Sequence, residues 1–98
     1  MQSNERLTRC HLIFSGIVQG VGFRWRAKQA AGAVGCTGWV RNDYSGTVSM
    51  ELQGTRTQID QVLDMLGRAP WIRIEHINSR TIPVECEECG FHTKDDEW

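Results

Sequence analysis

The sequence contains no apolar run long enough to span a bilayer, and its N-terminus lacks the apolar core of a secretory signal. It also has no excess of charge of either sign, because the formal net charge of the 98 residues is -1. A chain without surplus positive charge has no overall attraction for nucleic acid or an anionic membrane. These absences favour one cytoplasmic domain over 1–98, in which any anion is recognised locally.

Cysteines are few, and their spacing supplies only half of a typical metal site. The sequence has four, Cys10, Cys36, Cys86 and Cys89. Cys86 and Cys89 form one close pair near His92, whereas a zinc site usually has two close pairs. Acidic neighbours raise the pKa of a thiol instead of activating it. We therefore expect no metal, and whether Cys86 and Cys89 are free, disulfide-bonded or metal-binding stays open.

A glycine-rich stretch, GIVQGVGFR over 16–24, links a segment that predicts a strand to one that predicts a helix. Its three glycines allow a sharp turn and a close approach to a ligand. The N–H groups at the start of a helix form a ready anion site, and Arg24 adds a permanent cation beside them. This combination predicts a phosphate site.

Two familiar nucleotide motifs do not fit this stretch. No Gly-Lys-Ser/Thr follows the glycines, so the stretch is not a P-loop. No third glycine has the spacing of a dinucleotide-binding fingerprint, and the predicted sheet is not a parallel βαβ repeat. The predicted phosphate site therefore depends on neither of these motifs.

Hydrophobic periodicity predicts two helices, four strands and a short fifth strand near Phe91. The strands are predicted over 8–15, 37–41, 47–53 and 71–77, and the helices over 23–34 and 55–66. Thr55 and Gln58 have the spacing of a capping box. Residues 1–7 are predicted to be a loose leader and 94–98 a tail. The order β-α-β-β-α-β predicts an α+β, ferredoxin-like split βαβ sandwich, an antiparallel sheet with both helices on one face.

Nucleic acid is not predicted as a partner. Some ferredoxin-like sheets bind RNA through aromatic side chains on their middle strands. The outward face of the third predicted strand instead offers Ser49, Glu51 and Gln53.

None of the histidines accompanies a serine or cysteine in a motif typical of a nucleophile.

Four short motifs stand at characteristic distances from one another: Gly16-x-Val18-Gln19-Gly20-Val21-Gly22-Phe23-Arg24, Gly38-Trp39-Val40-Arg41-Asn42, Gly46-Thr47-Val48 and Gln53-Gly54. With them the chain resembles the acylphosphatase family. The resemblance covers about 10–66 well, and the length and order of elements agree over nearly the whole chain. It implies a small ferredoxin-like enzyme that hydrolyses acyl phosphates to a carboxylate and phosphate without metal or cofactor.

The resemblance also implies roles for individual residues. Arg24 and Asn42 are expected to be catalytic. The expected phosphate-binding residues are Gly16, Ile17, Val18, Gln19, Gly20, Val21, Gly22 and Arg24. An acyl phosphate has a good leaving group, so such a site must mainly hold the phosphoryl oxygens and place a water in line. Loop amides and Arg24 offset the negative charge, and the neutral amide of Asn42 orients the water.

Several neighbours of these residues carry weaker expectations. We expect the Gln19 side chain to be exposed and Arg26 to be exposed on the first helix without a role. Asp43 is expected to point away from Asn42, because successive strand residues face opposite ways. Thr47 is expected to support Asn42 through a hydrogen bond.

Two alternatives remain beside this reading. One is carbamoyl-phosphate handling, since similar domains occur in hydrogenase-maturation carbamoyltransferases; these typically have proline directly after the arginine, where this chain has Trp25. The other is a non-catalytic module that binds phosphate or a partner protein. The expected partner is a small-molecule acyl phosphate and the expected state a monomer, while nothing in the sequence identifies the acyl group.

Overall fold

The computed structural model describes residues 6–95, and these residues have the predicted β-α-β-β-α-β order followed by a fifth strand. The strands are β1 (Thr8–Ile17), β2 (Thr37–Asn42), β3 (Val48–Gly54), β4 (Arg73–Ile82) and β5 (Phe91–Thr93), and the helices are α1 (Phe23–Val34) and α2 (Arg56–Gly67). Most of the predicted leader and tail, over 1–5 and 96–98, lies outside the described residues. Within 6–95, no helix has the length and apolar character needed to cross a membrane.

The five strands form one sheet in the order β4-β1-β3-β2-β5. The pairs β1–β3, β1–β4 and β2–β3 are antiparallel, and β2–β5 is parallel. The ferredoxin-like α+β prediction is confirmed, but the sheet is mixed instead of wholly antiparallel. The reason is that β4 ends where β2 begins, so a strand added there beside β2 runs in the same direction as β2.

Both helices cover one face of the sheet, as predicted. The predicted capping box opens α2: the Thr55 hydroxyl accepts from Gln58 N at 3.2 Å, and Gln58 Oε1 accepts from Thr55 N at 2.8 Å. Each large apolar side chain that becomes fully buried contributes roughly 1.5–3 kcal/mol. The larger core residues of this layer are Leu12, Phe14, Phe23, Val40, Val48, Met50, Leu52, Ile59, Val62 and Leu66.

The other face of the sheet is crossed by the segment 83–90, which connects β4 at one edge to β5 at the other. Arg9 on β1 is 2% exposed and holds this segment with two hydrogen bonds to the Glu88 carboxylate, of 2.7 and 3.0 Å. Arg9 also donates to Glu51 at 3.1 Å. Gln53 exchanges two hydrogen bonds with the Glu85 backbone, of 2.9 and 3.0 Å.

This crossing corrects the expectation that the outward face of β3 is exposed. Ser49 and Gln53 are buried, and Glu51 is half-buried. The cause is that polar groups lie above β3 where solvent was expected: the returning segment pairs with Gln53, Asp43 pairs with Ser49, and Arg9 and His11 pair with Glu51. Buried polar side chains are tolerated there because they are hydrogen-bonded to one another and to the segment 83–90.

Backbone pairing continues beyond its predicted limits at both edges of the sheet. β4 reaches Ile82, although only 71–77 was predicted, because it pairs with β1 along the edge of the sheet and most of its side chains stay exposed. Strand pairing of this kind requires no buried side-chain pattern. At the other edge, Lys94 was predicted to begin the tail, yet its backbone N–H donates to Val40 O at 2.9 Å.

Candidate active site

The sheet topology brings the predicted site residues to one end of the molecule. β1 and β2 both pair antiparallel with β3, so their C-terminal ends lie at the same end of the sheet. Phe14 and Asn42 share Val48 as their cross-strand partner, which places these residues in one row across three strands. The glycine loop leaves β1 at this end and leads into α1.

The loop turns its valines inward. Val18 belongs to the hydrophobic core and is 1% exposed, and the partly buried Val21 packs against that core. Gly16 lies at a β-bulge with φ +123°, where a Cβ atom would collide with the carbonyl oxygen of Arg73. Gly20 is exposed with φ +75°. Apolar anchors on the inside and a glycine outside leave a stretch of backbone that a ligand can approach.

The first turn of α1 adds positive charge to the loop. Arg24 is half-buried and follows the cap residue Gly22 by two positions. This turn contains no acidic residue, although acidic side chains stabilise a helix N-terminus and basic ones do not. A guanidinium beside the positive end of the helix dipole is a local arrangement that favours a bound anion.

Arg26, also in this turn, has a different position from the one expected. Its side chain is half-buried, and Nε and Nη2 donate to the carbonyl oxygen of Met65 at 3.3 and 3.2 Å. The last turn of a helix leaves carbonyl groups without intrahelical partners, and Arg26 satisfies one of these in α2. Arg26 therefore ties the start of α1 to the end of α2.

Asn42 is the last residue of β2 and is 7% exposed. It shares the helix side of the sheet with the buried Val40 two residues before it. Its neighbour Asp43 is directed to the other side, as predicted, where its carboxylate accepts from Ser49 Oγ at 2.6 Å. The Thr47 hydroxyl also donates to Asp43, at 2.7 Å, instead of supporting Asn42 as expected.

Gln19 connects the loop to the turn between β2 and β3. Its side-chain amide nitrogen donates to the carbonyl oxygens of Asp43 and Thr47, both at 2.8 Å. The expectation of an exposed Gln19 side chain is therefore wrong, because the half-buried amide places both of its hydrogens on the turn that follows Asn42. In sequence, the only signal of this link is the polar Gln19 between the apolar Val18 and a glycine.

The predicted site residues thus occupy two adjoining structures. Gly16 and Ile17 end β1, residues 18–22 connect β1 to α1, and Arg24 lies in the first turn of α1, whereas Asn42 ends β2. Sequence reasoning did not identify Gln19 as the link or Asp43 as the anchor of the turn. The pattern that marks Asp43 is the pair of hydroxyl residues four and six positions later, which suits a carboxylate that closes a turn.

A cavity of about 460 Å³ on the opposite face is a less suitable site. It lies beneath the segment 83–90, and three of the charged groups in its lining are already paired, since Arg9 binds both Glu51 and Glu88. Within 6–95, no three His, Cys, Asp or Glu side chains are grouped as a metal ion would require. All four cysteines are free thiols, with Cys86 and Cys89 exposed.

Comparisons with known proteins agree with this fold. The family model for acylphosphatase matches residues 10–93. The acylphosphatase of Bifidobacterium longum is 34% identical over 85 residues, which covers 86% of this chain and 88% of that protein. The acylphosphatase structure from Coxiella burnetii is 29% identical with a TM-score of 0.82 and covers 95% of this chain and 100% of that one.

A larger protein also contains this fold. Full-length HypF, solved in a phosphate- and nucleotide-bound form, is 26% identical with a TM-score of 0.84; the match covers 99% of this chain but 13% of that one. The chain therefore corresponds to a small part of HypF, and its family is assigned from the relatives that it matches along most of their length. From the family model and these relatives, the chain belongs to the acylphosphatase family.

Proposed function

We propose that the chain hydrolyses the carboxyl–phosphate bond of acyl phosphates to a carboxylate and phosphate. In this proposal the loop residues 16–22 and Arg24 bind the phosphoryl group, and Asn42 positions the attacking water. Membership of the acylphosphatase family supports the activity. The common position of the loop, Arg24 and Asn42 at one end of the sheet supports the roles.

The loop and Arg24 act on the charge of the phosphoryl group. Backbone N–H groups at the start of α1 point toward an anion bound at the helix N-terminus, and the guanidinium of Arg24 offers a planar set of donors. As the bond to the leaving carboxylate breaks, negative charge remains on the equatorial oxygens. Donors that are already in place stabilise this charge without a cost of reorganisation.

Asn42 acts on the water. Its amide has both a donor and an acceptor, so it can hold a water in line with the bond that breaks without adding negative charge near the substrate. The nearby carboxylate of Asp43 accepts hydrogen bonds from Thr47, Ser49 and Arg41 on the other side of β2. We therefore assign Asp43 no role as general base, and a phosphoryl oxygen of the substrate accepts the proton of the water.

The main structural support for this proposal is the connection that the Gln19 side chain makes between the loop and the turn after β2. Two hydrogen bonds of 2.8 Å join the loop to the turn directly after Asn42. Phosphoryl transfer depends mainly on positioning, and a small displacement between the phosphate and the water lowers the rate strongly. A loop tied to the turn that follows the water-positioning residue fits this requirement.

Hydrolysis of benzoyl phosphate by the purified chain tests the proposal. We expect Arg24→Ala and Asn42→Ala each to lower kcat/KM by about 100-fold or more, the usual effect of losing one preorganised donor. Arg56→Ala is the matched control for Arg24, since Arg56 is exposed in the first turn of α2. Asn78→Ala, on the exposed edge strand, is the control for Asn42. Activity within a few-fold of wild type in either site variant would contradict the assigned mechanism.

The absence of a metal requirement is tested in the same assay. We expect an excess of EDTA to leave the rate unchanged, because the charge of the phosphoryl group is balanced by the loop and Arg24 alone. A loss of activity that added Mg²⁺ or Zn²⁺ restores would contradict this part of the proposal.

Carbamoyl phosphate is a second candidate substrate, since it also contains a carboxyl–phosphate anhydride. The similarity to HypF, whose structure holds phosphate, supports its inclusion in the assay. A kcat/KM for carbamoyl phosphate well above those for acetyl and benzoyl phosphate would favour this narrower function. Tight binding of inorganic phosphate without turnover of any acyl phosphate would favour a non-catalytic module.

We also propose a cytoplasmic monomer without a nucleic-acid partner. Four free thiols are typical of a reducing compartment, and a net charge of -1 supplies no attraction for nucleic acid. Light scattering after size exclusion tests the monomer at assay concentrations. A dimer mass, or retention on an RNA or DNA column at physiological salt, would contradict these statements.

A further inference from the structure

The exposed apolar side chains of the described chain are unevenly distributed. Of seven large ones, four lie at the end of the sheet that carries the glycine loop, namely Ile17, Trp25, Tyr44 and Trp71. Single exposed apolar residues are ordinary, whereas several together mark a binding surface. Since these residues accompany the glycine loop and the cation Arg24 at the start of α1, the surface suits a ligand that has both a phosphate and an apolar group.

Trp71 has the best-defined position in this group. Its Nε1 atom is 3.9 Å from the point that a Cβ atom on Gly22 would occupy, so the indole lies against the last residue of the loop. On another side its ring is 6.0 Å from the guanidinium carbon of Arg26, which is itself fixed to Met65. The side chain remains 52% exposed. Trp71 therefore offers an apolar surface that is held in place before a ligand arrives.

The other members extend this surface along the same end of the sheet. Ile17 is 53% exposed at the end of β1, where its partner Arg73 follows Trp71 by two residues. Tyr44 follows Asn42 by two residues in the turn after β2 and is 79% exposed. Apolar side chains thus lie at the end of β1, before β4 and after β2.

The chemistry of the substrate indicates what this surface contacts. In an acyl phosphate the acyl carbon is separated from phosphorus by a single oxygen, so the acyl group begins where the phosphate site opens. We propose that Trp71, with Ile17 beside it, binds the acyl group and makes the chain prefer aromatic or bulky apolar acyl phosphates over acetyl phosphate. This inference rests on the proposed function, because it requires the loop to hold the phosphoryl group.

The ratio of kcat/KM for benzoyl phosphate to that for acetyl phosphate tests the inference. We expect Trp71→Ala to lower this ratio about tenfold, equivalent to about 1.4 kcal/mol, and Trp71→Phe to keep most of it. Ile77→Ala is the control, since Ile77 is also exposed but lies in the middle of β4. Both substrates are measured on one preparation, so neither the intrinsic reactivity of each substrate nor the folded fraction changes the comparison between variants.

Binding of phosphonates gives a readout that does not need turnover. We expect phenylphosphonate to bind more tightly than methylphosphonate by calorimetry, and Trp71→Ala to remove most of this difference. If no acyl phosphate is hydrolysed, the proposed function fails while this binding difference still tests the acyl surface. The inference is overturned if Trp71→Ala changes neither the substrate ratio nor the phosphonate difference. It is also overturned if 3-phosphonopropionate, which has a carboxylate in place of the phenyl ring, binds more tightly than phenylphosphonate.

Discussion

The side-chain amide of Gln19 donates to the carbonyl oxygen of Asp43 over 2.8 Å, which joins the loop after β1 to the turn after β2. The two segments are 24 residues apart in sequence. Because the loop carries the proposed phosphate site and the turn follows Asn42, this one side chain would, in the proposed mechanism, help to fix the distance between the phosphate and the water.

Replacing Gln19 tests that relationship. We expect Gln19→Ala to lower kcat for benzoyl phosphate by about 10- to 100-fold, since misplacement of about 1 Å can have an effect of this size. Gln19→Glu should be at least as damaging, because a carboxylate cannot donate to the two carbonyl oxygens. Gln29→Ala, at an exposed position of α1, is the matched control. Steady-state kinetics measure the change, and wild-type kcat in Gln19→Glu would show that the link is unimportant.

Replacing Asp43 separates anchoring from proton transfer. Asp43 is 6% exposed, and its carboxylate accepts from two hydroxyl groups at 2.6 and 2.7 Å. We expect Asp43→Asn to lower the free energy of unfolding by about 1–3 kcal/mol, because its NH2 group replaces either Oδ1, which accepts from Arg41, or Oδ2, which accepts from both hydroxyls. The folded variant should keep the pH dependence of wild-type kcat. Urea unfolding and a pH–rate profile measure the two effects, and loss of one limb of the profile would identify Asp43 as a general base.

Two glycine substitutions distinguish a steric requirement from a purely conformational one. At Gly20 a Cβ atom would meet nothing within 4 Å, so Gly20→Ala should lose only about 1–2 kcal/mol from the positive φ of +75°. At Gly16 the same change adds a collision with the backbone of β4, and we expect a loss of about 3 kcal/mol or more. Urea titrations measure both, and equal losses would contradict the close packing at Gly16.

Features determined by neighbouring residues were predictable from the sequence. The apolar stripes of α1 and α2 and the capping box at Thr55 are local patterns, and they appear at the expected positions. In β3 the apolar side chains are buried as expected, but Ser49 and Gln53 on the other face are buried too. Asp43 was also expected to face away from Asn42, because that follows from strand alternation alone.

Features that depend on distant segments were not predictable in this way. Gln53 was expected to meet solvent but pairs with Glu85, and Arg9 binds Glu88 at a separation of 79 residues. Neither pair has a local signal, since each forms only when the segment 83–90 returns over the sheet. The same holds for the link from Gln19 to the turn after Asn42.

The Arg9–Glu88 pair predicts a pH dependence of stability. Burial alone would raise the pKa of Glu88, but hydrogen bonds from Arg9 lower it below its ordinary value of 4.5. A carboxyl group with a lower pKa in the folded state contributes fully above its unfolded pKa, and this contribution is lost as the pH falls through the folded pKa. We expect Glu88→Gln to reduce the free energy of unfolding by about 2 kcal/mol at pH 7 and by much less near pH 3.

Urea titrations at the two pH values measure this difference. Glu87→Gln is the control, because Glu87 is the exposed neighbour in the same segment. A loss that is equal at both pH values would mean that the charge of Glu88 does not contribute.

Thiol reactivity provides a test of burial. Burial raises the pKa of the Cys36 thiol to about 11, and Cys10 is buried too. The thiolate is the reactive form, so both should resist iodoacetamide at pH 8, whereas the exposed Cys86 and Cys89 should react. Mass spectrometry of the native protein is expected to show two alkylations, and four only after denaturation. Rapid modification of Cys36 in the native protein would contradict its position in the core.

The pairing of Asn42 with Val48 determines whether a neutral, a positive or a negative side chain at the end of β2 faces the helix side of the sheet. Successive strand residues face opposite sides, so a slip of one residue between β2 and β3 would turn Asn42 outward and direct Arg41 or Asp43 toward the helix side. With Asp43, a phosphate would then meet a carboxylate that repels it. The three donors that hold Asp43 on the far side thus fix the strand register, and the proposed mechanism depends on that register although it assigns none of the three donors a contact with the substrate.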